Sequence, residues 1–161
     1  MDVEKMPENE QKYMNYKEQF TRLNRALLNK FYLEAIFISY AIMEDRTESM
    51  LKYAGKWDAY LKSRHSHDSS LHSKIYYFKK LAEAKRSLEH KYFSDELLDS
   101  VIEWKDERNR MIHALLKQAT SSEELFAIAD AGRVLACKLR NRVGNYVRAI
   151  KRHDERQRES K

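Results

Sequence analysis

The sequence predicts an all-α fold, a bundle of about five antiparallel helices, and three observations carry that expectation. Only three glycines and one proline (Pro7) occur in 161 residues, which leaves almost none of the turn chemistry that a sheet of short strands requires. Charged residues make up 35% of the chain, and the abundance of Lys, Glu, Leu, Ala and Arg is the composition of long helices. Apolar residues recur at three and four positions instead of alternating. The length suits a single domain over residues 1–161, with enough chain to bury a core.

The elements follow in order. A first helix is expected from about residue 8 past residue 28, where Tyr13, Tyr16, Phe20, Leu23 and Leu27 keep helical spacing. A second covers about 29–53. Residues 31–43 hold eleven apolar residues of thirteen, the mark of a helix buried on several sides or shared between a core and a partner. Gly55 is placed to end it. Residues 56–70 lose the period and collect Ser, His and Asp, so they read as the main loop. A third helix is expected over about 71–92. Ser94 then resembles an N-cap for a fourth helix reaching about residue 118, with Asp95 and Glu96 suited to the positive end of its dipole. Thr120-Ser121-Ser122 makes a break, and Ser121-x-x-Glu124 is a capping box for a last helix reaching about residue 154. The residues beyond read as a solvated tail.

Charge and cysteine content narrow the setting. A net charge of +6 permits an anionic partner without requiring one. The single cysteine, Cys137, excludes an internal disulfide and fits a reducing compartment. The first twelve residues are polar and acidic, unlike a signal peptide. The apolar run at 31–43 contains Glu34 and is shorter than the roughly 20 residues that span a bilayer. A cytoplasmic protein without membrane association is expected.

The most telling segment is Arg108-Asn109-Arg110-Met111-Ile112-His113. On a helical projection, Leu97, Leu98, Val101, Ile102, Trp104, Met111, Ile112, Leu115 and Leu116 fall in one arc of about 180°. Arg108, Asn109 and Lys105 lie inside that arc and His113 at its edge. A charge among apolar positions is costly unless it is paired or used. Asn109 and His113 are helical neighbours, whereas Arg108 and His113 diverge by about 140°. One protomer is therefore poorly arranged to close both on one phosphate, and two copies meeting along this face are better placed. The structural alternative has the Arg108 stem spread over the core and its head paired to an acid such as Glu44 or Asp45. The spacing alone is not specific, since Arg148 and His153 repeat it in a basic stretch with no polar residue after the arginine.

This run, from Trp104 to Ala114, resembles the signature of HEPN domains: an arginine, a polar residue, a short spacer and a histidine. The resemblance extends in architecture to a helical bundle with an apolar second helix ending in acidic residues. It implies a metal-independent endoribonuclease that acts as a homodimer, with Arg108, Asn109 and His113 of two protomers in one cleft, and no cofactor. Histidine can accept or donate a proton near neutral pH. Arginine can take a phosphate through two hydrogen bonds and stabilise charge that builds in the transition state. Asn109 would orient the histidine or the phosphate, and the products would be a 2′,3′-cyclic phosphate and a 5′-hydroxyl. The resemblance also suggests a toxin or phage-defence setting, with an antitoxin or regulatory partner. The chain departs from the branch in which a modified tyrosine follows two residues after the histidine, because that position is Leu115. Without the resemblance, a non-catalytic helical module that binds RNA or a protein stays open.

Other candidates are weaker. His65, His67 and His72 cluster near Asp68 with no cysteine nearby, so a solvated loop is favoured over zinc and no metal site is expected. Cys137 has no partners for nucleophilic chemistry. The last helix carries seven Lys or Arg and no acid between Asp130 and Asp154. Arg133, Arg140, Arg148, Lys151 and Arg152 share one face, which with Lys105 is the expected contact surface for an RNA backbone, or else a solvated face.

Overall fold

A computed structural model describes residues 8–63, 70–115 and 117–159 of the chain. Among these it is an all-α bundle without strands. The elements are α1 (Glu8–Leu28), α2 (Tyr32–Tyr53), α3 (Trp57–Leu61), α4 (Leu71–Ala82), α5 (Leu88–Phe93), α6 (Leu97–Ala114) and α7 (Ser122–Glu159). Buried side chains from all seven helices join in one core, with Leu23, Ile36, Tyr60, Ile75, Phe93, Val101 and Leu139 at its centre.

The helix α2 is the hub, packed against α1, α3, α4, α6 and α7. Ala35, Ile36, Ile42, Met43, Met50 and Leu51 are buried along it, as the dense apolar run requires. Each large side chain so enclosed contributes about 1.5–3 kcal/mol. Two similar turns bracket this helix. Lys30 takes a left-handed φ of 60°, with Lys30 N–H bonded to Leu27 O and Phe31 N–H to Ala26 O. Gly55 repeats the arrangement at φ 65°, with Gly55 N–H on Lys52 O and Lys56 N–H on Leu51 O. Both are Schellman closures of the preceding helix.

Three expectations are corrected. The stretch after Gly55 is not all loop, because α3 forms there and buries Tyr60, whose hydroxyl meets Ser73 Oγ at 2.8 Å. The expected third helix is two helices. Ser87 Oγ accepts from His90 N–H at 3.0 Å and starts α5 afresh, which lets Phe93 turn inward against Phe78 and Tyr146. Ser94 closes α5 instead of opening α6, and Glu96 holds the N-cap position without a side-chain cap. Asp95 serves the turn in its place, accepting from Leu97 N–H at 3.3 Å. The described residues therefore form seven helices, against about five expected. Leu116, the last apolar position of the projected arc, lies outside the described residues.

The capping box at the start of α7 is formed from both sides. Ser121 N–H donates to Glu124 Oε2 at 2.9 Å and Glu124 N–H to Ser121 Oγ at 3.1 Å. The helix then runs through the expected stop near 154 to Glu159, with exposed side chains from Lys151 onward. Its crossing with α6 is tight because Gly132 lies beneath the Trp104 indole, whose Nε1–H donates to Ile128 O at 2.9 Å. That crossing fixes the face of α6 that carries the hexapeptide. No helix among the described residues is long and apolar enough to cross a membrane.

Candidate functional site

The hexapeptide lies on the last turns of α6, opposite the first half of α2. Met111 is buried and anchors the turn, Arg108 and Asn109 are half-buried, and Arg110 and His113 are exposed. The Arg108 guanidinium carbon sits over the Tyr40 ring at 4.6 Å and the Phe37 ring at 5.4 Å. Its Nη1 donates to Asn109 Oδ1 at 2.8 Å, while its buried Nε has no hydrogen-bond partner. The ring faces supply part of the attraction a counter-ion would give, about 0.5–2 kcal/mol per contact.

No carboxylate among the described residues pairs with Arg108, and neither Glu44 nor Asp45 is its counter-ion. Glu44 is taken by Lys74, a lysine from α4 with a side chain only 6% exposed, at 3.3 Å. Asp45 accepts from the Tyr16 hydroxyl and from Arg46. The buried Lys74 was not visible in the sequence, because its partners come from another helix. Asn109 also departs from expectation. Its carbonyl oxygen accepts from Arg108 and not from His113. No hydrogen bond or ion pair joins Arg108 to His113, as their divergence on a straight helix demands, and His113 has neither kind of partner among the described residues.

The expected RNA surface is not one patch. Lys105 is only 15% exposed and pairs with Asp106 at 2.6 Å, and that contact holds the Asp106 carboxyl below the ordinary range. Arg133 is tied to Asp130 at 2.8 Å. Both therefore lie in ion pairs with neighbouring acids. Arg140 and Arg148 have no acid partner among the described residues and rest on Asn141 and Asn145, whereas Lys151 stands 6.0 Å above the Tyr53 ring. Arg152 is exposed. The second Arg-to-His spacing shows nothing site-like, since His153 lies 3.8 Å from Asp154 and both are exposed.

His72 is exposed and stacks on Tyr76, with ring centroids 6.5 Å apart. His65, His67 and Asp68 lie outside the described residues. No group of three or more His, Cys, Asp or Glu among the described residues is arranged to hold a metal ion. Cys137 is a half-buried free thiol packed against the core.

The sequence reading missed Lys17, Arg46 and the aromatic rings beside Arg140. They meet only when α1, α2 and α7 come together. The one local signal was the polar ladder Asn141, Gly144, Asn145, Arg148 on α7, a helix that otherwise needs no glycine there. Comparison with known family models, curated proteins and solved structures gives no match to this chain.

Proposed function

We propose that the chain is a metal-independent endoribonuclease of HEPN type, with Arg108, Asn109 and His113 as its catalytic residues. The observation that carries this reading is Arg108 itself. A half-buried guanidinium with no carboxylate partner among the described residues, held by aromatic rings and Asn109, is a cation kept available. Such a group suits an incoming phosphate, to which arginine can present two parallel donors. The exposed His113 is open to solvent and substrate, as a proton-transfer residue must be.

In the proposed reaction the RNA 2′-hydroxyl attacks the adjacent phosphorus and loses its proton to one histidine. The P–O5′ bond breaks, and the departing 5′-oxygen takes a proton from a second. A two-fold dimer supplies both histidines and places an arginine on the phosphate from either side. Arg140, Arg148 and Arg152 then remain for backbone contacts away from the cleavage point.

The competing reading, a non-catalytic module for an RNA or protein partner, draws on the exposed Phe31, Leu33 and Phe37 beside the same site. Incubation with RNA in excess EDTA separates the two. Cleavage should leave cyclic phosphate ends, vanish in His113→Ala and Arg108→Ala, and persist in His153→Ala. A His113→Ala protein free of contaminating nuclease that cuts at the wild-type rate excludes the catalytic reading.

A further inference from the structure

Between α1, α2 and α7 runs an open groove of about 950 Å³. Four cations reach it, Lys17, Arg46, Arg140 and Arg148, and no carboxylate among the described residues lines it. Among the described residues Arg46 alone of the four is paired with an acid, Asp45. Arg140 is fixed by Nε and Nη2 on Asn141 Oδ1, at 3.3 and 3.1 Å, with its guanidinium 4.4 Å over the Phe20 ring. Arg148 is fixed by Asn145. These arginines are oriented by amides instead of being neutralised by acids, which keeps their charge for something that enters.

Gly144 is an independent pointer. It lies in the middle of α7, where glycine costs about 1 kcal/mol relative to alanine. Nothing among the described residues requires it, since a Cβ there would meet only Arg148 Nη1, at 3.9 Å. Gly132 is the contrast, because a Cβ at that position would lie 2.5 Å from the Trp104 ring. Gly144 lines the groove, so its missing side chain enlarges the groove and serves no packing.

The groove is separate from the hexapeptide. At 100° per residue, Arg46, Ser49 and Tyr53 leave α2 about 180° from Phe37 and Tyr40, and about 16 Å further along the axis. One small ligand cannot touch both.

We propose that this groove binds a nucleotide through its phosphate. Arg140 and Arg148 take the phosphate oxygens, while the amides of Asn24, Asn141 and Asn145 and the Tyr53 ring meet the nucleoside. Its volume falls within the roughly 300–1,000 Å³ of small-molecule sites. Fixed guanidinia with amides and aromatic faces are the groups that hold phosphate and base together. A recess between three helices does not suit the flat surface of a bilayer. The same chemistry is offered by a free nucleotide and by one unit of an RNA strand. The groove shares Arg140 and Arg148 with the backbone contacts proposed above, but it does not rest on cleavage, because a chain that cuts no RNA keeps it.

Calorimetric titration of the full chain tests it with two probes, ADP and a 2′-O-methyl oligoribonucleotide that has no 2′-hydroxyl to react. Two variants act on the groove. Gly144→Leu fills it while keeping every cation and favouring the helix, and Arg140→Gln with Arg148→Gln removes two exposed charges. Each should weaken binding at least tenfold. Saturable binding of ADP supports the site with a free nucleotide as its source, and binding of the oligonucleotide alone supports it with an RNA strand. The proposal is overturned if neither probe binds saturably or if both groove variants bind as wild type.

Discussion

At Arg108 the cost of burying charge is met by ring faces and a neighbouring amide, and this sets the expected behaviour of its variants. Breaking a buried ion pair costs about 3–5 kcal/mol because an acid is left unpaired. Arg108→Ala strands no acid, so it should cost only about 1–2 kcal/mol in urea melts, the value of the lost ring contacts and stem. Arg108→Lys should melt close to wild type yet cleave RNA poorly, because an ammonium lacks the planar fork. A second residue gives a pH signature. Tyr146 is fully buried and donates to Glu89 Oε1 at 2.6 Å. Burial first, and then that carboxylate, push its hydroxyl far above the ordinary value of 10.0. The unfolded phenol ionises near that value while the folded one keeps its proton, so this contribution is whole below pH 10 and is lost above it. The wild-type urea midpoint should therefore fall more steeply above about pH 10 than that of Tyr146→Phe. At neutral pH the same variant should lose about 1 kcal/mol with the hydrogen bond. The position of Arg108 inside an apolar arc was legible in the sequence. Its missing counter-ion was not, because Lys74 claims Glu44 from a helix thirty residues away.

Elements were legible where a side chain carries its own signal. Gly55 and the Ser121–Glu124 box mark boundaries through local chemistry, and both work as read. The break between α4 and α5 was hidden because apolar spacing continues across it and Ser87 reads as one more polar residue. The end of α1 was read only approximately, since its left-handed position holds Lys30, where glycine usually sits. That substitution leaves a reserve of stability. A left-handed residue with a Cβ costs about 1–2 kcal/mol, and glycine returns part of it to the more flexible unfolded chain. Lys30 is exposed, so Lys30→Gly should raise stability by about 1 kcal/mol. Gly55→Ala should lower it by a similar amount, about 1 kcal/mol. No atom lies within 4 Å of a Cβ at residue 55, so that loss would be one of backbone conformation alone. Paired urea melts of the two variants check both signs, and a stabilising Gly55→Ala would contradict the shared turn geometry.

Across the whole molecule, α2 holds more apolar surface than the bundle covers. Leu33 and Phe37, one turn apart, remain 39% and 54% exposed, and Phe31 just before the helix is 60% exposed. Phe126, at the start of α7, adds a 46% exposed ring next to Tyr32, with centroids 5.6 Å apart. The sequence signalled this surplus in the run at 31–43, but not which side chains the other helices would leave uncovered. The uncovered ones adjoin Arg108, whose guanidinium rests on Phe37. Exposed apolar side chains of this kind are what an interaction surface would use. A second copy laid on it about a two-fold axis would bury these rings and bring two sets of Arg108 and His113 to one cleft, which a single α6 cannot do. We therefore predict a dimer in sedimentation at micromolar concentration. Phe37→Glu, a change at an exposed position, should keep the helical melt, shift the protein to monomer and lower RNA cleavage in proportion to the dimer lost. A wild-type chain that sediments as a monomer while cutting RNA at full rate would refute the shared cleft and require one protomer to hold the whole site.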